Sequence, residues 1–167
     1  MLPYGNAQKK GTQVECQHGP LECKLNMVEA CGIKHNEKSE DYMDFIFCME
    51  AATTPEGKIR DTVAKCSKDA TVADSILKCY GDGQGDEGIG LISGYAAKTA
   101  KLNHKYTPWV VVNGEHSTAA EDNLKKAICK AYKGPNPPAA CAAYMTERCY
   151  KTNPAEVTEA VEREVQV

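Results

Sequence analysis

Nine cysteines in 167 residues constrain this chain more than any other feature. Such density belongs to proteins that fold in an oxidising compartment, where disulfides form and persist. The cysteines are Cys16, Cys23, Cys31, Cys48, Cys66, Cys79, Cys129, Cys141 and Cys149. No two are separated by only two residues, so C-x-x-C does not occur in these residues. That removes the usual dithiol redox motif and the usual zinc ribbon from the chain. The odd count leaves at least one thiol free, bound to another chain, or bound to a segment outside this one. Connectivity cannot be deduced from spacing.

The N-terminus conflicts with this cysteine usage. Met1-Leu2-Pro3-Tyr4-Gly5-Asn6 has neither the basic nor the apolar region of a signal peptide. Either a leader lies outside the chain, or the cysteines serve something other than disulfides. Charge excludes other classes. The net charge is −3, and no run of five basic residues exists, so no nucleic-acid partner is expected. Apolar stretches such as Trp109-Val110-Val111-Val112 are too short to span a membrane. Hydrophobic residues make up 42% and charged residues 26%, which are ordinary globular values and exclude wholesale disorder.

Periodicity organises the chain. Residues 1–12 read as a short extended piece turning at Tyr4-Gly5-Asn6. Residues 15–38 form a cysteine-rich segment with little apolar periodicity. Tyr42, Phe45, Ile46 and Met49 predict a helix over 39–52. Thr54-Pro55 reads as an N-cap followed by a helix-starting proline, with Ile59, Val63 and Cys66 on the buried stripe. Thr71 with Asp74 predicts a further N-terminus, and Val72, Ile76, Cys79 and Tyr80 carry that helix to Gly81. Ile89, Ile92, Tyr95, Ala96 and Leu102 suggest another helix. Pro108 to Val112 then reads as a strand, and Asn113-Gly114 is a strong hairpin signal. Ser117 or Thr118 caps one last clear helix, with Glu121 placed for a capping box, Leu124, Ile128 and Tyr132 on its apolar face, and Gly134 beyond its end. Val157, Val161 and Val165 share one face of an acidic tail over 151–167.

Several constellations invite chemistry. Gly83-Gln84-Gly85-Asp86-Glu87-Gly88 matches G-x-G-x-x-G, but it follows a helix where nucleotide binding requires a strand, so it reads as a helix–helix linker. Cys16, His18, Cys23, Cys31 and His35 are the correct ligand types for zinc at spacings wrong for the common knuckles. His18, His35, His104 and His116 show no cysteine-protease signature and read as surface histidines. The Thr107-Pro108 step opens an apolar strand, where proline is tolerated at the first residue.

Taken together, these residues resemble the gamma-interferon-inducible lysosomal thiol reductase family. Cys16, Gln17, His18, Gly19, Glu22, Cys23, Asn26 and Cys31 resemble its signature C-Q-H-G-x-x-E-C-x-x-N-x-x-x-x-C. Pro3-Tyr4-Gly5-Asn6-Ala7, Phe47-Cys48-Met49-Glu50 and the segment from Tyr106 to Gly114 resemble further family segments, in the same order. The resemblance runs over about residues 1–150. It implies an α/β, thioredoxin-like fold with a helical insertion, here over about 15–102. It also implies a lysosomal or secreted enzyme that reduces protein disulfides at acidic pH and supports antigen processing.

The resemblance carries a departure. The family's catalytic C-x-x-C lies upstream of the Pro-Tyr-Gly-Asn-Ala segment, so the first βα unit is expected to be missing and the remainder to be helix-rich with a short β-hairpin. No catalytic residue is therefore assigned, nor any metal or cofactor. Thr107 and Pro108 are the implied substrate-aligning loop, and the nine cysteines are the disulfide candidates. The implied partners are disulfide-containing protein substrates. An apolar edge left at Trp109-Val110-Val111-Val112 and the odd thiol predict an edge-strand or disulfide-linked homodimer. Three readings stay open: a truncated thiol reductase, inactive as this chain; a non-catalytic, disulfide-bonded secreted module; and a zinc module.

Overall fold

The computed structural model describes residues 4, 5, 7–11 and 13–144. Cys149 and the acidic tail over 151–167, with Val157, Val161 and Val165, lie outside the described residues, as do Pro3 and Asn6. The chain divides into two compact units, Met1–Thr107 and Pro108–Val167.

The first unit begins with an antiparallel hairpin, β1 (Gln8–Lys10) and β2 (Gln13–Glu15), in the register Gln8↔Glu15. Gly11 turns it at φ 63°. The sequence gives no alternating apolar signal there, because the strands are short and β1 is wholly exposed. Five helices follow: α1 (Pro20–His35), α2 (Ser39–Ala51), α3 (Ile59–Cys66), α4 (Ala70–Tyr80) and α5 (Asp86–Lys101).

Helix α1 occupies most of the segment 15–38, whose sequence shows little apolar periodicity. Val28, Glu29, Ala30, Cys31 and Gly32 are all buried in succession. At about 3.6 residues per turn, that run passes all the way round the helix. A helix covered on every side has no polar stripe, so the amphipathic signal vanishes. Helix α1 packs against α2, α4 and α5. One core gathers Val28, Phe45, Ile46, Val63 and Ile76; a second gathers Tyr4, Ala30, Ile92, Tyr95 and Ala96. Helix α1 contributes to both.

Helix starts differ in detail from expectation. Asp69, not Thr71, caps α4, its carboxylate accepting from the Val72 N–H at 2.9 Å. Thr54-Pro55 leads into a short 3-10 turn, Glu56–Lys58, before α3 begins at Ile59. The glycines of the G-x-G-x-x-G segment serve packing. A Cβ at Gly85 would overlap the Cys79 carbonyl, and one at Gly88 would lie 2.8 Å from that carbonyl and from Met27. Only glycine lets the start of α5 come this close to α4 and α1.

The second unit holds a two-residue hairpin between β3 (Val111–Val112) and β4 (Glu115–His116). Asn113 and Gly114 both take positive φ, 53° and 88°, as a type I′ turn requires. Pro108 and Trp109 precede the strand instead of opening it. Trp109 stacks on the His116 ring at 3.6 Å. The expected single helix breaks in two: α6 (Thr118–Asp122) and α7 (Leu124–Ala131). Asn123 interrupts it by accepting from the Lys126 N–H at 2.9 Å as a second N-cap. The Glu121 carboxylate takes the Val110 N–H at 3.3 Å and His116 at 2.7 Å. Leu124 and Ile128 are each 50% exposed, while Cys129 is buried.

Four disulfides tie these elements. Cys31–Cys79 joins α1 to α4, Cys48–Cys66 joins α2 to α3, Cys16–Cys23 spans the start of α1, and Cys129–Cys141 closes the end of α7. Each constrains the unfolded chain by about 2–4 kcal/mol.

Glycine positions supply a stability test. A Cβ at Gly32 would run into the ring of Phe45, which is itself fully buried. Gly94 lies on an exposed face of α5 with nothing within 4 Å. Gly94→Ala should stabilise by up to about 1 kcal/mol, the helix-propensity gain. Gly32→Ala should destabilise by about 1–3 kcal/mol despite the same gain, because overpacking outweighs it. Urea midpoints of both variants check the opposite signs.

Candidate functional site

The signature residues build the entry into α1. Gly19 sits before the helix at φ 96°, a backbone region that L side chains rarely adopt. Its N–H donates to the Cys16 carbonyl at 3.1 Å, closing a turn. Pro20 follows at the first helical position, where its missing N–H costs nothing. Glu22 accepts the His18 N–H at 2.6 Å and lies 3.2 Å from the His18 Nδ1. Cys23 in the first turn reaches back to Cys16 across 5.5 Å between Cα atoms. The Asn26 amide approaches the Cys16 sulfur at 3.8 Å. Cys31 ends the pattern in the core, bonded to Cys79. Every signature side chain described here thus helps to shape or anchor one helix.

A cleft of about 550 Å³ opens beside the Cys16–Cys23 bridge, walled by Tyr4, Val14, Met27, Ile89 and Ile92. A disulfide in such a cleft offers an electrophilic sulfur to an attacking thiolate. A Cys23 thiolate released there would sit near the positive end of the α1 dipole, which stabilises it. The six residues between the two sulfurs make this a loop closure and not a vicinal dithiol pair.

The sequence's zinc candidates do not assemble. Cys16 and Cys23 bind each other, Cys31 binds Cys79, His18 faces Glu22 and His35 faces Glu87 at 3.2 Å. His35, Cys79 and Glu87 do lie within 4.8 Å of one another. The Cys79 sulfur is held in its disulfide, so it offers no thiolate. Thr107 ends one unit and Pro108 opens the other, both exposed in irregular chain.

Sequence reasoning missed Glu29. Its side chain is only 6% exposed, on α1 among Val28, Ala30 and Cys31. Burial, then the hydrogen bond and negative charge of Glu50, push its carboxyl up to about 9. The available signal was a lone acid inside a run of small and apolar residues.

These features define a disulfide-stapled, mainly helical domain organised round the start of one buried helix. Residues 1–70 match the sequence model of the family described as gamma interferon inducible lysosomal thiol reductase. A gamma-interferon-inducible lysosomal thiol reductase of Carassius auratus is 37% identical over 158 residues, covering 89% of this chain and 60% of the relative. A gamma-interferon-responsive lysosomal thiol protein of Arabidopsis thaliana is 38% identical over 140 residues, covering 80% and 56%. The Mus musculus gamma-interferon-inducible lysosomal thiol reductase is 34% identical over 160 residues, covering 90% and 62%. The chain is thus similar, over most of its length, to members of the gamma-interferon-inducible lysosomal thiol reductase family, of which the Carassius auratus and Mus musculus relatives are named thiol reductases. It spans about 60% of the length of the curated relatives it matches. Among the described residues, no helix is long and apolar enough to cross a membrane.

Two measurements follow. Cys31, Cys79, Cys129 and Cys141 are buried, whereas Cys16, Cys23, Cys48 and Cys66 are partly exposed. Limited reduction followed by alkylation and mass spectrometry should therefore label the latter four first; equal labelling of all eight refutes this order. The second concerns Glu29. The folded chain holds its proton up to about 9, the unfolded chain only to the ordinary 4.5. Between those values the native state binds more protons, so the stabilising contribution is full below 4.5 and lost as pH rises to about 9. The urea midpoint should fall between about pH 5 and pH 8, and Glu29→Gln should remove most of that fall. An unchanged pH slope in the variant counts against the assignment.

Proposed function

We propose that this chain is the disulfide-stapled portion of a thiol–disulfide oxidoreductase that reduces protein disulfides at acidic pH, in a lysosomal or secreted setting. The observation that carries this reading is the 34–38% identity, over most of the chain, to relatives named as lysosomal thiol reductases or thiol proteins. A thioredoxin-like fold for the complete protein, with the helices of the first unit as an insertion, fits the mainly helical architecture and the short hairpin of the second unit. In such an enzyme one thiolate of a dithiol attacks a substrate disulfide, forming a mixed disulfide and expelling one substrate thiol. The second thiolate resolves it, expelling the other thiol and leaving the enzyme pair oxidised; a small-molecule thiol restores the dithiol. Thr107 and Pro108 would align an extended substrate strand through backbone groups.

The dithiol itself has no counterpart among these 167 residues, and eight of the cysteines are bonded to each other. The chain alone is therefore inactive in this reading. The same bonding favours a second reading, a non-catalytic disulfide-bonded secreted binding module. Insulin reduction at acidic pH should show no turnover by this chain above a free-cysteine background. A version extended upstream to include a C-x-x-C pair should turn over; failure of the extended form favours the binding module.

Self-association belongs to the same reading. Val111 is 38% exposed, and Leu124 and Ile128 are half exposed in the same unit. Such an edge and face favour pairing with a second copy through β3. Sedimentation velocity should show a concentration-dependent dimer that Val111→Lys weakens at least about tenfold, as a charge on an edge strand does. A dimer that disappears only on reduction would assign the contact to a thiol.

A further inference from the structure

A second cavity lies away from the Cys16–Cys23 bridge, with a volume of about 400 Å³. Leu21, Leu25 and Glu29 line it from one face of α1, at four-residue steps. Met49 and Glu50 come from the last turn of α2, and Thr53, Thr54 and Pro55 from the chain beyond. Three observations give it a definite chemistry. Glu29, buried, and Glu50, exposed, both present carboxyl groups to the cavity. Thr54 is 5% exposed, and its buried hydroxyl finds no hydrogen-bond partner. An orphaned buried hydroxyl costs about 1–3 kcal/mol, so a ligand that satisfies it recovers that cost. Finally, the cavity sits at the C-terminal, partly negative end of α2, whose last turn holds no basic residue. None of the residues lining the cavity is basic.

With Glu29 protonated, the site takes its negative field from the Glu50 carboxylate and the end of α2, keeps acceptor oxygens on Glu29, Glu50 and Thr54, and is apolar along one wall. A divalent cation would demand an oxygen shell that the apolar wall does not supply. A hydroxyl or amide ligand would leave the carboxylate charge and the helix end uncompensated. An ammonium head has three N–H donors, and the site offers three acceptor groups.

We propose that this cavity binds a primary alkylammonium group, its donors meeting Glu29, Glu50 and Thr54 and its alkyl chain lying along Leu21, Leu25 and Met49. Glu29 and Thr54 supply the interior acceptors, and Glu50 stands at the exposed rim, where the ammonium enters. A free alkylamine and a lysine side chain of another protein share this chemistry. The site is independent of the redox reading, since no cysteine lines it.

The test uses the intact, oxidised chain and calorimetric titration with n-butylammonium chloride at low salt. Saturable binding is expected. n-Butanol, which lacks the charge, and tetramethylammonium, which lacks N–H donors, should bind at least about tenfold more weakly. Glu50→Gln should weaken n-butylammonium at least about tenfold, and the near-isosteric Thr54→Val about fivefold, the worth of one hydrogen bond. The shape-conserving Thr54→Val keeps the test decisive if an acidic-site variant misfolds. Comparing n-butylammonium with Nα-acetyl-lysine methylamide separates the sources: equal affinity admits a protein lysine, and loss of the peptide analogue leaves the free amine. Absence of saturable binding, equal binding of tetramethylammonium, or unchanged affinity in both Glu50→Gln and Thr54→Val overturns the proposal.

Discussion

The first unit depends on the burial of α1 from all sides. A 16-residue helix with five successive buried positions cannot exist without neighbours, because its central turns expose no polar face to water. Helices α2, α4 and α5 each cover part of it, and each buries one set of positions while leaving others exposed. Close approach needs small residues at the contacts. Gly32 admits the Phe45 ring, and Gly85 and Gly88 admit the Cys79 carbonyl. The Cys31–Cys79 bond then locks the innermost contact, between two fully buried positions.

That burial has a local cost and a local use. Glu29 is carried into the core on the same helix turn that presents Val28, Ala30 and Cys31. An ionised carboxylate there would lose its hydration, so the proton is retained. Pairing with Glu50 and the neighbouring orphaned Thr54 hydroxyl makes a polar pocket at the edge of an apolar core. Polar groups in such positions are expensive to maintain unless something satisfies them, which is why this cavity differs from the surrounding grooves.

The signature residues take on a physical role once placed. They form a glycine–proline helix start, an acid that holds the preceding turn, a loop-closing disulfide and an anchor into the core. The likeness to the family therefore includes residues that secure α1, and the proposed reading assigns the redox chemistry to other cysteines. The second unit follows the same economy on a smaller scale: a type I′ hairpin, two capped helical segments and one disulfide.

The sequence by itself determined that helices lie near 39–52, 55–66, 71–80 and 89–102, along with the Asn113-Gly114 turn and the family resemblance. These signals are local: a stripe, a cap, a two-residue turn or a contiguous motif survives reading in one dimension. It did not reveal α1, because a helix buried all round loses the very contrast that periodicity measures. It also missed the Asn123 break, where a side chain chose a nearer N–H over a continuous helix. Tertiary structure alone decided the disulfide partners, since Cys31 meets Cys79 only after 48 residues have folded back across α1. It likewise decided that the G-x-G-x-x-G segment packs helices, and that Glu29, Glu50 and Thr54 share one cavity. Those pairings depend on distances between segments remote in sequence, which only the folded chain sets.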